Sequence, residues 1–184
     1  MNFVEPLRKK EDITEIENFL EKTNKRNRLI FAFGINTGLR VSDILALNIS
    51  DVKDKNSIVI REKKTGKYKK FPLNDKLKNL ITAYLKDIPT TRLNTPLFLG
   101  DKGGRMHRSI VYRFLNEAVD TLKLEVGAIG THTMRKTFGY FFYKKFNDVA
   151  LLQRILNHSS PAITLRYIGI SQEEIDNSYA NFEL

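Results

Sequence analysis

The chain has 184 residues, with 31 Lys and Arg against 21 Asp and Glu, a formal net charge of +10, and no cysteine. One domain is the expectation, since domains run to roughly 100–200 residues, and the missing thiols exclude a disulfide framework, Cys-based zinc sites and thiol catalysis. No apolar run approaches the roughly 20 residues of a membrane span, and the charged start MNFVEPLRKKEDITE lacks a signal-peptide core, so the expectation is a basic cytoplasmic protein with an anionic partner and no membrane.

Ile13, Ile16, Phe19 and Leu20 recur at helical spacing within Glu11–Thr23, which predicts an amphipathic helix. Asn27–Asn36 reads as a more apolar helix, stopped by Thr37-Gly38. Ser42 can N-cap a short helix through Leu47. Ser57–Arg61 and Lys69–Leu73 read as two strands around a Lys-Thr-Gly-Lys turn, with Pro72 suiting an edge strand. Residues 61–70 (REKKTGKYKK) hold six bases and one acid, so half the net charge lies in this hairpin. A solvated turn is the bland reading of such a run; contact with nucleic acid, where each neutralised phosphate releases counterions, is the sharper one. Asp75–Asp87 is a helix with Leu77, Leu80, Ile81, Tyr84 and Leu85 inward, and Leu93–Arg105 is a loop. His107–Leu122, Thr131–Phe146, Asp148–Asn157 and Ser160–Tyr167 read as helices, and Glu173–Phe182 as a last one after a break at Gly169. The fold class expected is mainly α with a small antiparallel sheet.

Several polar residues sit where the pattern does not require them. Arg40 follows a glycine-terminated apolar helix, His132 and Arg135 stand three apart near a helix start that Thr131 can cap, His158 lies at a helix end, and Tyr167 comes one short helix later. Each has an ordinary structural explanation taken alone: a surface arginine, helix-start chemistry, a core tyrosine. Together with the lysine-rich hairpin they suit phosphodiester chemistry without metal. Arginine forks match phosphate oxygens and stay charged, a tyrosine becomes a nucleophile once a base takes its proton, and a lysine can protonate a leaving alkoxide. Metal-dependent nuclease chemistry needs clustered carboxylates, whereas the acids are scattered and His107, His132 and His158 lack HxxxH spacing.

In this order the segments TGLRVSDILAL, REKKTGKYKKFPL, HTMRKTF and LNHSSPAITLRYIGI resemble the catalytic domain of the tyrosine recombinases, the phage-integrase family, over about residues 8–170. The resemblance implies a DNA breaking-and-rejoining fold and a site-specific recombinase that works through a 3′-phosphotyrosyl intermediate without metal, ATP or any other cofactor. It implies that Arg40, His132, Arg135 and His158 are catalytic, Asp43 supporting, Tyr167 the nucleophile and Lys64 the general acid. Lys63 and Lys67 crowd the same turn; counting back from Pro72-Leu73 favours Lys64. Tyr179 is the fallback nucleophile. Arg61, Lys63, Lys67, Lys69 and Lys70 are expected to contact double-stranded DNA.

The sequence departs from the family pattern at Asp43 (Glu is commoner), at Asn157 (usually Gly, read here as a left-handed cap) and at Thr133-Met134. The resemblance further implies a homo-oligomer on DNA, four protomers in the synapse, and a C-terminal helix with Ile175, Tyr179 and Phe182 that docks in cis or in trans. Residues 1–10 read as linker-like and no N-terminal core-binding domain is present in these residues, as in a catalytic fragment or a short single-domain recombinase of the DNA-inverting type. The rival functions are type IB topoisomerase-like relaxation, a non-catalytic DNA-binding regulator derived from a recombinase, and a basic RNA-associated protein.

Overall fold

The computed structural model describes residues 4–88, 92–100, 103–170 and 179–183. The elements, in chain order, are α1 (Lys10–Thr23), α2 (Lys25–Thr37), α3 (Val41–Ile44), α4 (Ile49–Val52), β1 (Ser57–Arg61), β2 (Tyr68–Pro72), α5 (Asp75–Lys86), α6 (Arg108–Leu122), α7 (Thr133–Phe146), α8 (Val149–Leu156) and α9 (Pro161–Ile168). The fold is mainly helical with one two-stranded antiparallel sheet, as the sequence predicts.

The centre is α2. Leu29, Ile30, Phe31, Ala32 and Phe33 are buried in succession, and a helix apolar on every side has to be covered on every side. It packs against α1, α5 and α7. The side chain of Asn24 accepts from the Asn27 amide at its start, and Gly38 ends it in the left-handed region at φ 63°. A second, smaller core joins Leu152, Leu156, Ile168 and Ile170 with Phe138, Phe142 and Tyr143. Helix α7 serves both: Met134 lies in the main core and Phe138 and Phe142 in the small one.

The hairpin alternates as a half-buried ribbon should. Ile58 and Ile60 face inward while Val59 and Arg61 face solvent. The strands pair Ser57 with Pro72, Val59 with Lys70 and Arg61 with Tyr68, so Pro72 closes the ribbon at its open end.

Several local expectations are corrected. Ser42 does not cap: Arg40 stands at the N-cap and α3 starts at Val41. Nor does Thr131: α7 starts at Thr133, whose Oγ1 accepts from the Gly130 amide at 3.1 Å. Short α4 was not anticipated, although Asn48 and Asp51 form a capping box with the Asn48 amide donating to Asp51 Oδ2 at 2.7 Å. Within the linker-like start, residues 4–9 form a strap laid across α7. The Leu7 amide donates to Thr137 Oγ1 at 2.9 Å, Leu7 is buried, and Arg8 Nη2 donates to the Gly169 carbonyl at 2.8 Å. Most of the helix expected over Glu173–Phe182 lies outside the described residues; Tyr179 and Phe182 are exposed. Among the described residues no helix is long and apolar enough to cross a membrane.

Candidate active site

The site forms where four chain corners meet: the α2–α3 turn, the hairpin turn, the start of α7 and the α8–α9 connection. At the first corner, the left-handed Gly38 lets the chain reverse out of the core, and a Cβ there would strike the ring of Phe138. Arg40 follows in extended conformation with its side chain 14% exposed. Its Nη1 lies 3.1 Å from Glu62 Oε2 and 4.0 Å from Asp43 Oδ2. The supporting acid expected at position 43 is therefore present but distant, and the closer carboxylate is Glu62. Asp43 is turned to the hairpin, its Oδ1 accepting from the Lys63 amide at 3.0 Å.

Arg135 is 2% exposed. Its fork spans two segments: Nη1 donates to the Gly38 carbonyl at 2.6 Å and Nη2 to the Leu156 carbonyl. One guanidinium thus joins the corner that presents Arg40 to the end of α8 that presents His158. The second contact also sets a cation against a helix C-terminus, where the dipole favours it. Burial lowers the Arg135 pKa, but a guanidinium has enough reserve to remain a cation.

Helix α8 closes on Asn157 in the left-handed region at φ 55°, the cap the sequence predicts. The next residue, His158, donates its amide to the Gln153 carbonyl at 3.0 Å. Its Nδ1 lies 3.1 Å from Thr164 Oγ1, which itself donates to the Ser160 carbonyl. That hydroxyl therefore accepts, which puts the His158 proton on Nδ1 and leaves Nε2 as the free edge. Burial, reinforced by Arg135, Arg40 and Lys64, lowers the His158 pKa to about 4.

Tyr167 is carried by α9 into the space between the two imidazoles. Its ring stands edge-on to His158 with centroids 4.9 Å apart, and its hydroxyl lies 3.1 Å from His132 Nδ1. Lys136 Nζ lies over the tyrosine ring at 5.2 Å. Burial raises the Tyr167 pKa, opposed chiefly by the Arg135 charge. Burial also lowers the His132 pKa, with Arg135, Lys136, Lys64 and Arg40 adding. A neutral His132 is a base within reach of the tyrosine proton: in the tautomer protonated at Nε2, its Nδ1 accepts from the hydroxyl.

Lys64 is exposed on the hairpin turn, near enough for its charge to depress both imidazoles. The other expected DNA contacts divide. Lys63 and Lys70 are exposed. Arg61 Nε donates to the Gly66 carbonyl at 3.1 Å, Lys67 Nζ reaches Asn157 Oδ1 at 3.5 Å, and Lys69 Nζ donates to the Ile155 carbonyl at 3.0 Å. Lys69 is thus turned into the protein rather than outward, and burial, with Arg135, lowers its pKa to about 8 against the opposing Glu62 charge. His107 lies apart, accepting from the Ser109 amide at the start of α6.

The sequence reading missed Glu62 and the inward turn of Lys69. Strand alternation carries the signal for both. Ile58, Ile60 and Glu62 share one face, and so do Lys69 and Phe71. Among the described residues, no group of three or more His, Asp or Glu side chains is placed to hold a metal ion.

The family model described as the phage integrase family matches residues 8–174. A protein named as a probable integrase/recombinase, YoeC of Bacillus subtilis, is 45% identical over 99% of this chain and 98% of its own length. The tyrosine recombinase XerC of Pelobacter propionicus is 30% identical over 90% of this chain and 53% of its own. The tyrosine recombinase XerH of Campylobacter jejuni is 32% identical over 82% of this chain and 43% of its own, so the chain spans about half the length of these two Xer relatives. Among solved structures, the XerA recombinase superposes with a TM-score of 0.79 at 20% identity, over 98% of this chain and 67% of that one. A XerH recombinase bound to its difH substrate after cleavage superposes with a TM-score of 0.75 at 22% identity, over 98% of this chain and 54% of that one.

Proposed function

The chain belongs to the phage integrase family of tyrosine recombinases, and on that premise we propose that it cleaves and rejoins double-stranded DNA at specific sites through a 3′-phosphotyrosyl bond to Tyr167. The observation that supports this most is the tyrosine hydroxyl lying 3.1 Å from a neutral imidazole nitrogen beside a buried arginine. A phenol of raised pKa is inert until a base and nearby cations ease its proton away, and His132, Arg135 and Arg40 are the groups that do so.

Tyr167 Oη attacks the scissile phosphorus while its proton passes to His132 Nδ1. The P–O5′ bond breaks, and Lys64 supplies the proton that the 5′ oxygen takes up. Arg40 and Arg135 face the charge on the non-bridging oxygens of the transition state. His158 presents Nε2 to the same oxygens; an arriving phosphate anion favours its protonation and turns that nitrogen into a donor. In the second half a 5′ hydroxyl attacks the phosphotyrosine, the P–Oη bond breaks, and the protons return along the same groups. The phosphodiester is exchanged rather than spent, so the cycle closes without a nucleotide or a metal. Strand exchange between two duplexes calls for further copies of the chain, four in the full synapse.

The test is trapping. A pool of duplexes nicked just 3′ to a randomised scissile region lets the cleaved end diffuse away, so active protein accumulates as a denaturant-resistant adduct. Wild-type protein gives the adduct. Tyr167→Phe gives none yet still shifts the same DNA in a binding assay, while Tyr179→Phe gives it at the wild-type level. An adduct that survives in Tyr167→Phe overturns the assignment. Relaxation of a supercoiled plasmid without any selected site would favour topoisomerase-like action instead, and binding without adduct in the wild type would favour a regulator.

A further inference from the structure

Glu62 is an acid in the most basic stretch of the chain, and it is only 2% exposed although Arg61, Lys63, Lys64 and Thr65 around it face solvent. Its backbone closes the hairpin turn, the Glu62 amide donating to the Lys67 carbonyl at 2.9 Å and the Gly66 amide to the Glu62 carbonyl at 2.8 Å. Its side chain turns inward on the face of Ile58 and Ile60. There one oxygen, Oε2, meets three elements. Arg40 Nη1 lies 3.1 Å away, Thr65 Oγ1 donates to it at 2.7 Å, and Asn157 Nδ2 donates to it at 3.1 Å. These partners adjoin three groups of the reaction: Arg40 itself, Lys64 next to Thr65, and His158 next to Asn157.

We propose that Glu62 is a positioning residue for the recombination reaction: it ties the turn that carries the general acid Lys64 to Arg40 and to the His158 corner. The proposal rests on the phosphotyrosyl reading above and assigns a part of the site that the family resemblance leaves without a role. The physical need is plain. The hairpin has only two strands, and a ribbon of two strands is marginally stable without support. Lys64 sits at its exposed tip on a long, rotamer-rich side chain. Proton transfer requires hydrogen-bond reach to the leaving oxygen, so a turn free to swing leaves the lysine out of range for most of the time. A carboxylate anchored on Arg40 and Asn157 holds that turn through Thr65, and the Lys63 amide on Asp43 adds a second tether. Glu62 also remains ionised to do this. Burial alone would raise its pKa, but the hydrogen bonds from Thr65 and Asn157, with Arg40, outweigh burial and hold it below the ordinary carboxylate value.

A leaving group that needs no proton separates this role from a merely structural one. In a 5′-bridging phosphorothiolate the departing atom is sulfur, which leaves as thiolate without a general acid. Nicked duplexes that give the wild-type adduct are made with oxygen or with sulfur at the bridge. Glu62→Ala and Thr65→Val are expected to slow cleavage of the oxygen substrate by about 10²-fold or more, the scale of a lost general acid. The sulfur substrate is expected to restore Thr65→Val to near the wild-type rate, as it restores Lys64→Ala, and to restore Glu62→Ala only in part, because that change also removes the carboxylate beside Arg40; Arg40→Ala stays slow on both. Thr65→Val cuts the tether without touching the buried ion pair, so it carries the test even if Glu62→Ala folds poorly. Wild-type rates on oxygen, or a defect that persists on sulfur in folded Thr65→Val, overturn the proposal. Absence of adduct with wild-type protein, or failure of sulfur to restore Lys64→Ala, strikes the underlying reading of the site instead.

Discussion

At the scale of single residues, burial shifts the proton affinities of His132, His158 and Tyr167 before any DNA arrives. His132 is held below its ordinary pKa by burial first and by four neighbouring cations second. In the proposed reaction, the neutral ring is the form that accepts the tyrosine proton. Activity is therefore expected above the depressed His132 pKa and is expected to be lost as pH falls through it. Adduct formation by wild-type protein is expected to hold its rate from neutral pH down past the ordinary imidazole value of about 6.5, with its acid limb below that point. Single-turnover cleavage rates across that range provide the check, and a limb at or above the ordinary value would remove His132 from the role of base. The two arginines, one buried and one partly exposed, divide their labour in a way their identical chemistry conceals. Arg135 binds main-chain carbonyls of Gly38 and Leu156, whereas Arg40 leans on a carboxylate. A lysine at either place would supply charge without the planar fork that spans two partners.

At the scale of elements, the question is how α9 brings a tyrosine within 3.1 Å of an imidazole on another helix. The answer lies at Gly139 of α7. A Cβ built there would stand 2.6 Å from Ile168 Cγ2 and 3.4 Å from Leu156 Cδ1. Ile168 adjoins Tyr167, so the missing side chain sets how far the helix that carries Tyr167 can sink. Gly139→Ala gains about 1 kcal/mol of helix propensity but overpacks a filled core, which costs roughly 1–3 kcal/mol. The expected net result is equal or lower stability by urea unfolding, with cleavage reduced about tenfold or more through displacement of a reacting group and DNA binding retained. Cleavage at the wild-type rate would show that α9 adjusts freely.

This arrangement also marks what could be read from the sequence. Asn157 and Gly169 announce their helix ends, because a left-handed cap has a narrow choice of residues. The motif residues Arg40, His132, Arg135, His158 and Tyr167 stand near one another in the structure. Ser42 and Thr131 do not cap, because a capping residue type is common and its use depends on where the chain enters the core. Glu62 is hidden in the sequence by the charge of its neighbours; its strand face, shared with Ile58 and Ile60, is the feature that buries it.

At the scale of the whole molecule, the net charge of +10 falls by half into residues 61–70, but those bases do not form one uniform surface. The two-residue period of β2 sends Lys69 inward beside Phe71 and leaves Lys70 outward. Lys69 then spends its ammonium on the Ile155 carbonyl near the end of α8, a second cation at the helix end that Arg135 already holds. Lys63 and Lys70 remain in solvent, where a phosphate can displace their counterions. The affinity for duplex DNA should therefore depend on salt in part through the outward pair. Each phosphate contact contributes about 0.9 to the slope of log affinity against log salt concentration. Lys63→Gln and Lys70→Gln are each expected to lower that slope by about 1, while leaving cleavage of saturating DNA close to wild type. Lys69→Gln is expected to do the reverse: it changes the slope little and slows cleavage, because it removes a cation that braces the corner holding His158. Fluorescence anisotropy of a labelled duplex over a series of salt concentrations measures the slopes, and adduct formation at saturating DNA measures the chemistry. Equal slope changes for all three substitutions would mean that Lys69 swings outward when DNA arrives, and that the hairpin meets the backbone as a single charged surface.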